Sequence, residues 1–546
     1  MSAYWGARVI SGAGSRALWS RKIAAAGRSV QARFCRPNVL VLIALAWFAA
    51  AFYAIVWTWG IDPLVFPTPD EAAVRYAADL IGKHHAPCLA LPMADPEDLL
   101  HPRSWLTLGD KAWPTYAPVG FYVYGWLLRA GFVGRVVLIA MPASGVAAFS
   151  AGVGLLLPQD RRWLALLTPA LAFPMLFWIL RTWVNISPLL IGCSWCLLCW
   201  AKWQETDRSS WLAAALFFLG FGAAVRPDYA AYLFVVVSLF SLAARPARWR
   251  LIIAVVGASG VLAVSANMAL NKVITGHALQ AAYQVAVDRQ WGPEPEHGIP
   301  GLGILRSLVV PMGLPTLAVL GTAFRKYWVD MGPIALLLFG QAAIVPLVLR
   351  GPRLSRILKV LGVLAILLFM VSRLHEGLYG AATQSGEVQH SVPRYLTPLY
   401  LIAVVPPVLF VARARSRLLF IPGTLLLAAL ALSGAYEISV HGFGSQRWLK
   451  GYVHGKLGEL EALSRVIPTD AIVYSAAEDK WLWSRWRVAS IDNENASAVS
   501  IARAVDAQLA VYVIAPSRRL NVALSRQHIS LARVDGRHRV YQAARH

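Results

Sequence analysis

"VLVLIALAWFAAAFYAIVWTW", residues Val39 to Trp59, carries no charged side chain over 21 positions. A helix needs about 20 apolar residues to cross the hydrocarbon core of a bilayer, and it satisfies its own backbone groups while doing so. The stretch therefore predicts a membrane span, and its flanks set its direction. Upstream lie Arg8, Arg16, Arg21, Lys22, Arg28, Arg33 and Arg36 with no acidic residue among them. The positive-inside rule places this basic arm, 1–37, in the cytoplasm. The apolar stretch is too long for a cleaved signal, so it reads as an uncleaved first span. The chain beyond Trp59 then emerges on the extracytoplasmic side.

The whole sequence extends that reading. Of 546 residues 58% are hydrophobic and 14% charged, and the mean hydropathy is +0.54, which excludes an ordinary soluble globular protein. Apolar segments recur as far as Leu418–Tyr436, and by length they amount to about ten to thirteen spans. The expected fold class is a polytopic α-helical membrane protein of the plasma (inner) membrane, ending in a small extracytoplasmic α/β domain. The net charge of +23 does not point to nucleic acid, because the basic residues gather in short turns: Arg161 and Arg162, Arg245 to Arg250, Arg350 to Lys359, Arg413 to Arg417. Topology explains most of this charge, and anionic headgroups or a phosphate-bearing substrate can use the remainder. Arg135 and the Arg161 pair cannot both be cytoplasmic with one crossing between them. One segment must be re-entrant or interfacial, either Tyr116–Leu128 or the proline-broken Ile304–Phe324. Cys193, Cys196 and Cys199 fall at i, i+3, i+6 in an apolar segment. That spacing fits a redox or metal motif, or simple packing of small apolar side chains.

Between the first span and about Thr115 the chain turns acidic, with Asp62, Asp70, Glu71, Asp79, Asp95, Glu97, Asp98 and Asp110. This first outer loop, 60–116, opens the membrane domain assigned to 38–440. From 441 the pattern changes. A helix near Leu449–Val466 is followed by β-like runs at Ala471–Tyr474, Leu509–Ile514 and Ile529–Val534, with a helix at Ala496–Ala507. Alternating strands and helices over about 100 residues make a small α/β domain at 441–546, extracytoplasmic because the last span runs outward from Arg417.

The chemistry-bearing residues cluster where polar chain meets apolar chain. In "VFPTPDEAAVRYAADLIG", Val65 to Gly82, Thr68, Pro69 and Glu71 fit a capping box with proline at the first helical position. That leaves Asp70 with only the roughly 0.3–1 kcal/mol an acid gains from the helix dipole. A carboxylate fixed there can instead act as a general base. "LGDKAWPTYAPVGFYVYGW" brings Lys111 and Tyr116 to an aromatic bilayer entry, either as interfacial anchors or as a headgroup cradle. "VRPDYA" sets Arg226 beside Asp228 at a span end, as a local ion pair or as a functional charge. "NKVITGHALQAAY", Asn271 to Tyr283, opens an outer loop. "RLHEGLYGAATQSGEVQHSVPRYLTP" ends with Arg394 and Tyr395 where another span begins. No tight His/Asp/Glu set with metal spacing stands out, and His84–His85 reads as a solvated loop.

In this order the segments resemble the polyprenol-phosphate-sugar-dependent glycosyltransferases of the GT-C class, which include protein O-mannosyltransferases and lipid A aminoarabinose transferases. The markers are Asp70–Glu71 in the first outer loop, "PTYAPVG", the pattern of Asn271, Gly276 and Tyr283, and "RYLTP" at Arg394. The resemblance implies inverting transfer of a sugar from a polyprenyl phosphate to a glycan, lipid or protein acceptor. Asp70 would be the base, with Glu71 beside it. Lys111, Arg226 and Arg394 are the cations for the leaving phosphate, and Tyr116, Asn271, Tyr283 and Tyr395 would contribute to substrate binding. The segment from Arg373 to Tyr395 is longer and more polar than the family's usual version, so His375, Glu376 and His390 receive no role. Some enzymes of the class use a divalent metal and others do not; no cofactor is expected here. The alternatives are a lipid-linked sugar flippase or other transporter, with Arg226, Asp228 and Arg394 along its path, and a polysaccharide polymerase.

Overall fold

The computed structural model describes residues 39–58, 69–132, 134–171, 186–282, 352–382, 404–439, 446–476, 478–491 and 493–545, with residues 285 and 317. It is mostly helical with a small sheet near the C-terminus. The long helices are α1 (Val39–Thr58), α4 (Gly134–Leu156), α5 (Ile186–Thr206), α6 (Ser209–Val225), α7 (Pro227–Ala244), α8 (Trp249–Thr275), α9 (Arg353–Ala382), α10 (Val404–Arg413) and α11 (Arg417–Ser439). Two apolar segments among the described residues, Ile139–Leu156 and Pro246–Thr275, are long enough to cross a bilayer.

Helices α4, α5 and α6 share one apolar core with parts of α1, α7, α10 and α11, built around Phe149, Leu189, Trp203, Leu216 and Tyr229. Close approach depends on small residues. A Cβ at Gly192 would lie 2.8 Å from the Phe218 carbonyl oxygen, so the α5 and α6 backbones meet only because none is there. Cys196 and Cys199 are buried in this core, as the packing reading of the cysteine triplet expects. Other surfaces are apolar and uncovered: Ile253, Val261, Val264 and Val273 of α8 and Leu418, Leu425 and Leu432 of α11 are each more than half exposed.

The bundle has two unlike ends. At one, arginines stitch the turns together. Arg161 donates to the carbonyls of Ala412 and Ala414 at 2.9 and 2.6 Å, Arg162 and Lys202 meet Glu205, and Arg248 meets Asp207 at 2.7 Å. Ser355 at the start of α9 donates to the Ala243 carbonyl at the end of α7. The expected basic turns at Arg161, Arg245, Arg353 and Arg413 thus converge on one pole. At the other pole lie the start of α4, the end of α8 and a short helix, α3 (Pro118–Arg129). At 12 residues, α3 is about 18 Å long at 1.5 Å per residue, too short to span. Helix α4 carries the chain from one pole to the other, so Arg135 and Arg161 lie at opposite ends of the bundle.

The acidic stretch after α1 is more structured than its polarity suggests. It forms α2 (Pro69–His84) and an antiparallel sheet of β1 (Leu89–Ala90), β2 (Trp105–Leu108) and β3 (Lys111–Pro114), in the order β1-β3-β2. Beyond α11, the C-terminal region gives α12 (Gln446–Ser464), β4 (Ile472–Ser475), α13 (Asp479–Leu482), β5 (Arg487–Ser490), α14 (Glu494–Asp506), β6 (Val511–Ile514), α15 (Arg518–Arg526), β7 (Ile529–Asp535) and β8 (Val540–Arg545). The sheet order is β5-β4-β6-β8-β7, with β5, β4 and β6 parallel and the β7–β8 hairpin antiparallel. Strand alternation gives it two apolar faces. Ile472, Tyr474, Val511 and Val513 pack under α14 and α15. Val473, Val488, Tyr512 and Ile514 instead share a core with α12, with α2, and with Ile274 of α8. Residues 69–116 and the C-terminal region therefore form one body, which sits on the pole away from the arginines.

Candidate functional site

Helix α2 runs into the seam of that body. Glu71, Val74, Ala78 and Ile81 make a stripe at i, i+3, i+7, i+10 whose members are all buried, and Glu71 is only 1% exposed. A carboxylate at that depth is costly without charge or hydrogen-bond compensation, which sets Glu71 apart from an ordinary helix-start acid. Asp70 occupies the first turn of α2 beside it. On the outer side Arg75 and Asp79 pair at 2.9 Å, one turn apart.

Aromatic rings close the seam. Tyr76 stacks on Trp483, which follows α13, with centroids 4.8 Å apart, and tilts against Trp105 of β2 at 5.3 Å. Burial raises the Tyr76 hydroxyl pKa above its ordinary value. From α12, Lys456 donates to Glu459 at 2.8 Å and to Glu478 at 3.2 Å, and it lies 5.0 Å from the centre of the Trp481 ring. The Trp481 indole N–H also donates to Glu478. Burial works against the Lys456 charge, but its bonds to the two glutamates outweigh that and raise its pKa. Lys480 stands 5.7 Å over the ring of Tyr452. The Tyr452 hydroxyl is pushed well up, first by burial and then by the negative charges of Glu478, Glu459 and Glu71, while Arg103 acts the other way. Tyr452 thus stands in the field of groups from α2, α12, the residue that caps α13 and the loop before β2.

A second polar knot anchors the loop before β2. Asp95 accepts from the amides of Leu99 and Leu100 at 3.0 and 2.9 Å and from the Thr107 hydroxyl at 2.7 Å. Asp98 accepts from the Thr107 amide and from His101 Nε2 at 2.9 Å, while His101 Nδ1 faces the Pro102 carbonyl at 2.9 Å. A ring that donates at both nitrogens is an imidazolium. Burial opposes its charge, but the bond to Asp98, the charge of Asp98, the Pro102 carbonyl and Asp95 together hold its pKa above the usual histidine value. The Asp95, Asp98 and His101 ligand atoms lie within 4.8 Å of one another, a metal-type grouping that the sequence reading did not pick out. Its signal was the DxxDxxH spacing in a loop. The hydrogen bonds already engage these atoms and shape the loop, whose neighbouring residues meet the C-terminal sheet. Leu100 enters that sheet's core, the Leu99 carbonyl accepts from the Ser490 amide at 2.9 Å, and Glu97 takes Arg503 in a two-point pair at 2.5 and 2.8 Å.

The other expected site residues lie elsewhere. Lys111 is exposed at the start of β3, where its charge reaches Cys88. Tyr116 is half-buried against the shared core. Arg226, between α6 and α7, lies 4.9 Å over the Tyr229 ring. Asn271 is buried in the last turn of α8, and Gly276 ends that helix with φ +79°, so the Thr-Gly of the motif serves as a helix stop. Thr275 seals the stop by donating to the Asn271 carbonyl at 2.9 Å. His84 and His85 are exposed, but His84 is the last residue of α2 and only His85 lies in the loop after it. Thr68, Tyr283, His390, Arg394 and Tyr395, and the side chains of Asp70, Asp228, His375 and Glu376, lie outside the described residues. The sequence reading missed Arg103, Tyr452, Lys456 and Glu478, which come together only when β4 and α12 dock on α2. Compared with known proteins, the chain matches no family model and no curated protein.

Proposed function

We propose that this chain is a multi-pass glycosyltransferase of the plasma (inner) membrane that moves a sugar from a polyprenyl phosphate to an acceptor on the extracytoplasmic face. Helices with uncovered apolar faces fit a lipid surround, and the arginine-stitched pole fits the cytoplasmic side. The observation that carries the reading is Glu71, buried beside Asp70 in the seam between the first outer loop and the C-terminal sheet, at the pole away from the arginines.

In the reaction Asp70 takes the proton of the acceptor group as that group attacks the anomeric carbon. The bond from that carbon to the phosphate oxygen breaks, and the lipid phosphate leaves as an anion. Glu71, in its desolvated position, is the acid next to the base. Arg103 joins Arg394 as a cation for the leaving phosphate, since positioned cations stabilise charge as it develops. The C-terminal domain covers the site from the outer side.

The test compares membranes containing wild type, Asp70→Asn and Glu71→Gln for transfer from pooled radiolabelled polyprenyl-phosphate sugars into lipid, protein and polysaccharide fractions. Asp70→Asn is expected to lose about 10²–10⁴-fold in rate, the usual worth of a general base, at equal protein level. Equal transfer in wild type and Asp70→Asn would reduce Asp70 to a helix-start residue. Movement of labelled lipid-linked sugar without a new glycosidic bond would replace the reading with a transporter.

A further inference from the structure

The arginine turns of the bundle account for much of the net charge, but one basic stretch lies outside them. From Gln508 to His546 the chain carries seven arginines and a single acid, Asp535. The positive-inside rule concerns short turns on the cytoplasmic side, so it gives no reason for arginines in a domain at the other pole. Local stability gives none either, because α15 has no acid in its first turn and opens on Arg518 and Arg519, where the helix dipole disfavours cations. The acids nearby are already engaged: Asp535 accepts from the Arg537 amide at 2.8 Å, and Asp506 takes Arg545 at 2.6 Å. Arg518, Arg519, Arg526 and Arg537 are exposed, and among the described residues none of their side chains has an acidic partner.

The fold gathers these residues at one edge of the C-terminal sheet. The tip of the β7–β8 hairpin lies against the turn before α15: the Ala515 amide donates to the Arg539 carbonyl at 2.9 Å, and the Arg539 guanidinium reaches the Pro516 carbonyl at 3.5 Å. Arg537 and Arg539 of the tip therefore adjoin Arg518 and Arg519. Buried Leu520, Ala523 and Leu524 turn Arg519, Val522 and Arg526 outward along α15. The β5 edge of the sheet is covered, with Ser490 donating to the Leu99 carbonyl and Arg487 to that of Ala90. At the other edge β7 ends the sheet with Ala532, Arg533 and Val534 exposed. Helix α15 also lies on the face of the sheet away from α2 and α8, so its arginines are turned from the lipid around the bundle. That placement favours a soluble anion over a headgroup. Guanidinium groups spread over a helix and a hairpin tip suit a chain of repeated carboxylates or phosphates, each taken by a planar fork of donors.

We propose that this edge, formed by Arg518, Arg519, Arg526, Arg537 and Arg539, binds an anionic glycan, a sugar chain bearing carboxylates or phosphates. The inference rests on the glycosyltransferase reading above, in which such a chain is the acceptor or carries it.

The experiment measures binding of fluorescent polygalacturonate to the full-length protein in phosphatidylcholine nanodiscs over a range of salt. Dextran is the uncharged probe and phosphatidylglycerol vesicles are the lipid probe. The edge variant combines Arg518→Gln, Arg519→Gln and Arg537→Gln, exposed side chains with no acidic partner to lose. A control, Arg353→Gln with Arg415→Gln and Arg417→Gln, takes the same charge from exposed positions at the arginine pole. Wild type and control are expected to bind polygalacturonate but not dextran, more weakly as salt rises, and the edge variant to bind about tenfold more weakly than either. A wild type that binds no polygalacturonate, equal binding by wild type and edge variant, or an equal loss in the control would overturn the inference. So would binding of the vesicles in place of polygalacturonate, which is the mark of a membrane-facing surface. Transfer measured on the same samples keeps the two readings apart: edge-dependent binding by a wild type that forms no glycosidic bond overturns the glycosyltransferase reading and leaves the edge as a surface for anionic glycan.

Discussion

The two poles of the molecule hold charge in opposite ways. At the arginine pole, charges are many, half-exposed and locally spent: Arg161 on two carbonyls and the Phe420 ring, Arg248 and Arg245 on Asp207, Arg162 and Lys202 on Glu205. At the other pole some charges from distant parts of the sequence are taken into the interior: Glu71 is 1% exposed, and Lys456 pairs with Glu478 beside the Trp481 ring. Exposed pairs contribute little, whereas charges taken out of water must be compensated by a specific arrangement. The two poles therefore differ in how their charges are compensated: locally and near solvent at one, by long-range arrangement in the interior at the other.

That contrast can be broken most forcefully at the Asp95 knot. Asp95→Ala strands the Leu99 and Leu100 amides and the Thr107 hydroxyl, at a cost on the order of 3 kcal/mol. Faster hydrogen exchange at Leu99, Leu100 and Ser490 should accompany loss of transfer; unchanged exchange would mean that the knot does not hold the domain. At the opposite pole, Arg161→Met removes two charge-assisted bonds and should cost about 1–2 kcal/mol in detergent unfolding while leaving transfer intact. Loss of transfer there without loss of protein would erase the distinction between the poles.

A finer test uses pH. The folded pKa of His101 is raised above its unfolded value, so its contribution to docking is fully present below about pH 6.5 and is lost as pH rises through the folded pKa. Exchange at Leu99 and Leu100 should therefore increase on the alkaline side. His101→Gln should flatten that dependence, and a pH-independent wild type would refute the imidazolium. The smallest effect is expected from Arg503→Ala. Its pair with Glu97 is partly exposed and worth roughly 0.2–1 kcal/mol, visible as a slight gain in protease access to the linker between α11 and α12.

Some of this was open to reading from residue order. Val39–Trp59 foretold α1, the clustered arginines foretold which turns meet, and Leu449–Val466, Leu509–Ile514 and Ile529–Val534 anticipated α12, β6 and β7 within a few residues. β5 and β8 escaped because RVAS and VYQAAR are short and mixed in polarity; they are strands because neighbours supply their ladder bonds. The first outer loop read as polar chain, yet Trp105, Leu106 and Trp113 give it a core. Glu71 read as a cap, since no local pattern reveals that a domain more than 370 positions later will cover it.

The sequence by itself determined the apolar helices, the distribution of basic turns and the presence of a terminal α/β unit, because hydropathy and charge act locally along the chain. Only the tertiary structure decided that residues 69–116 and the C-terminal sheet share one core, that Glu71 is buried, and that Gly276 stops a helix. Those outcomes depend on which apolar faces meet, and when they meet they take particular charges out of water.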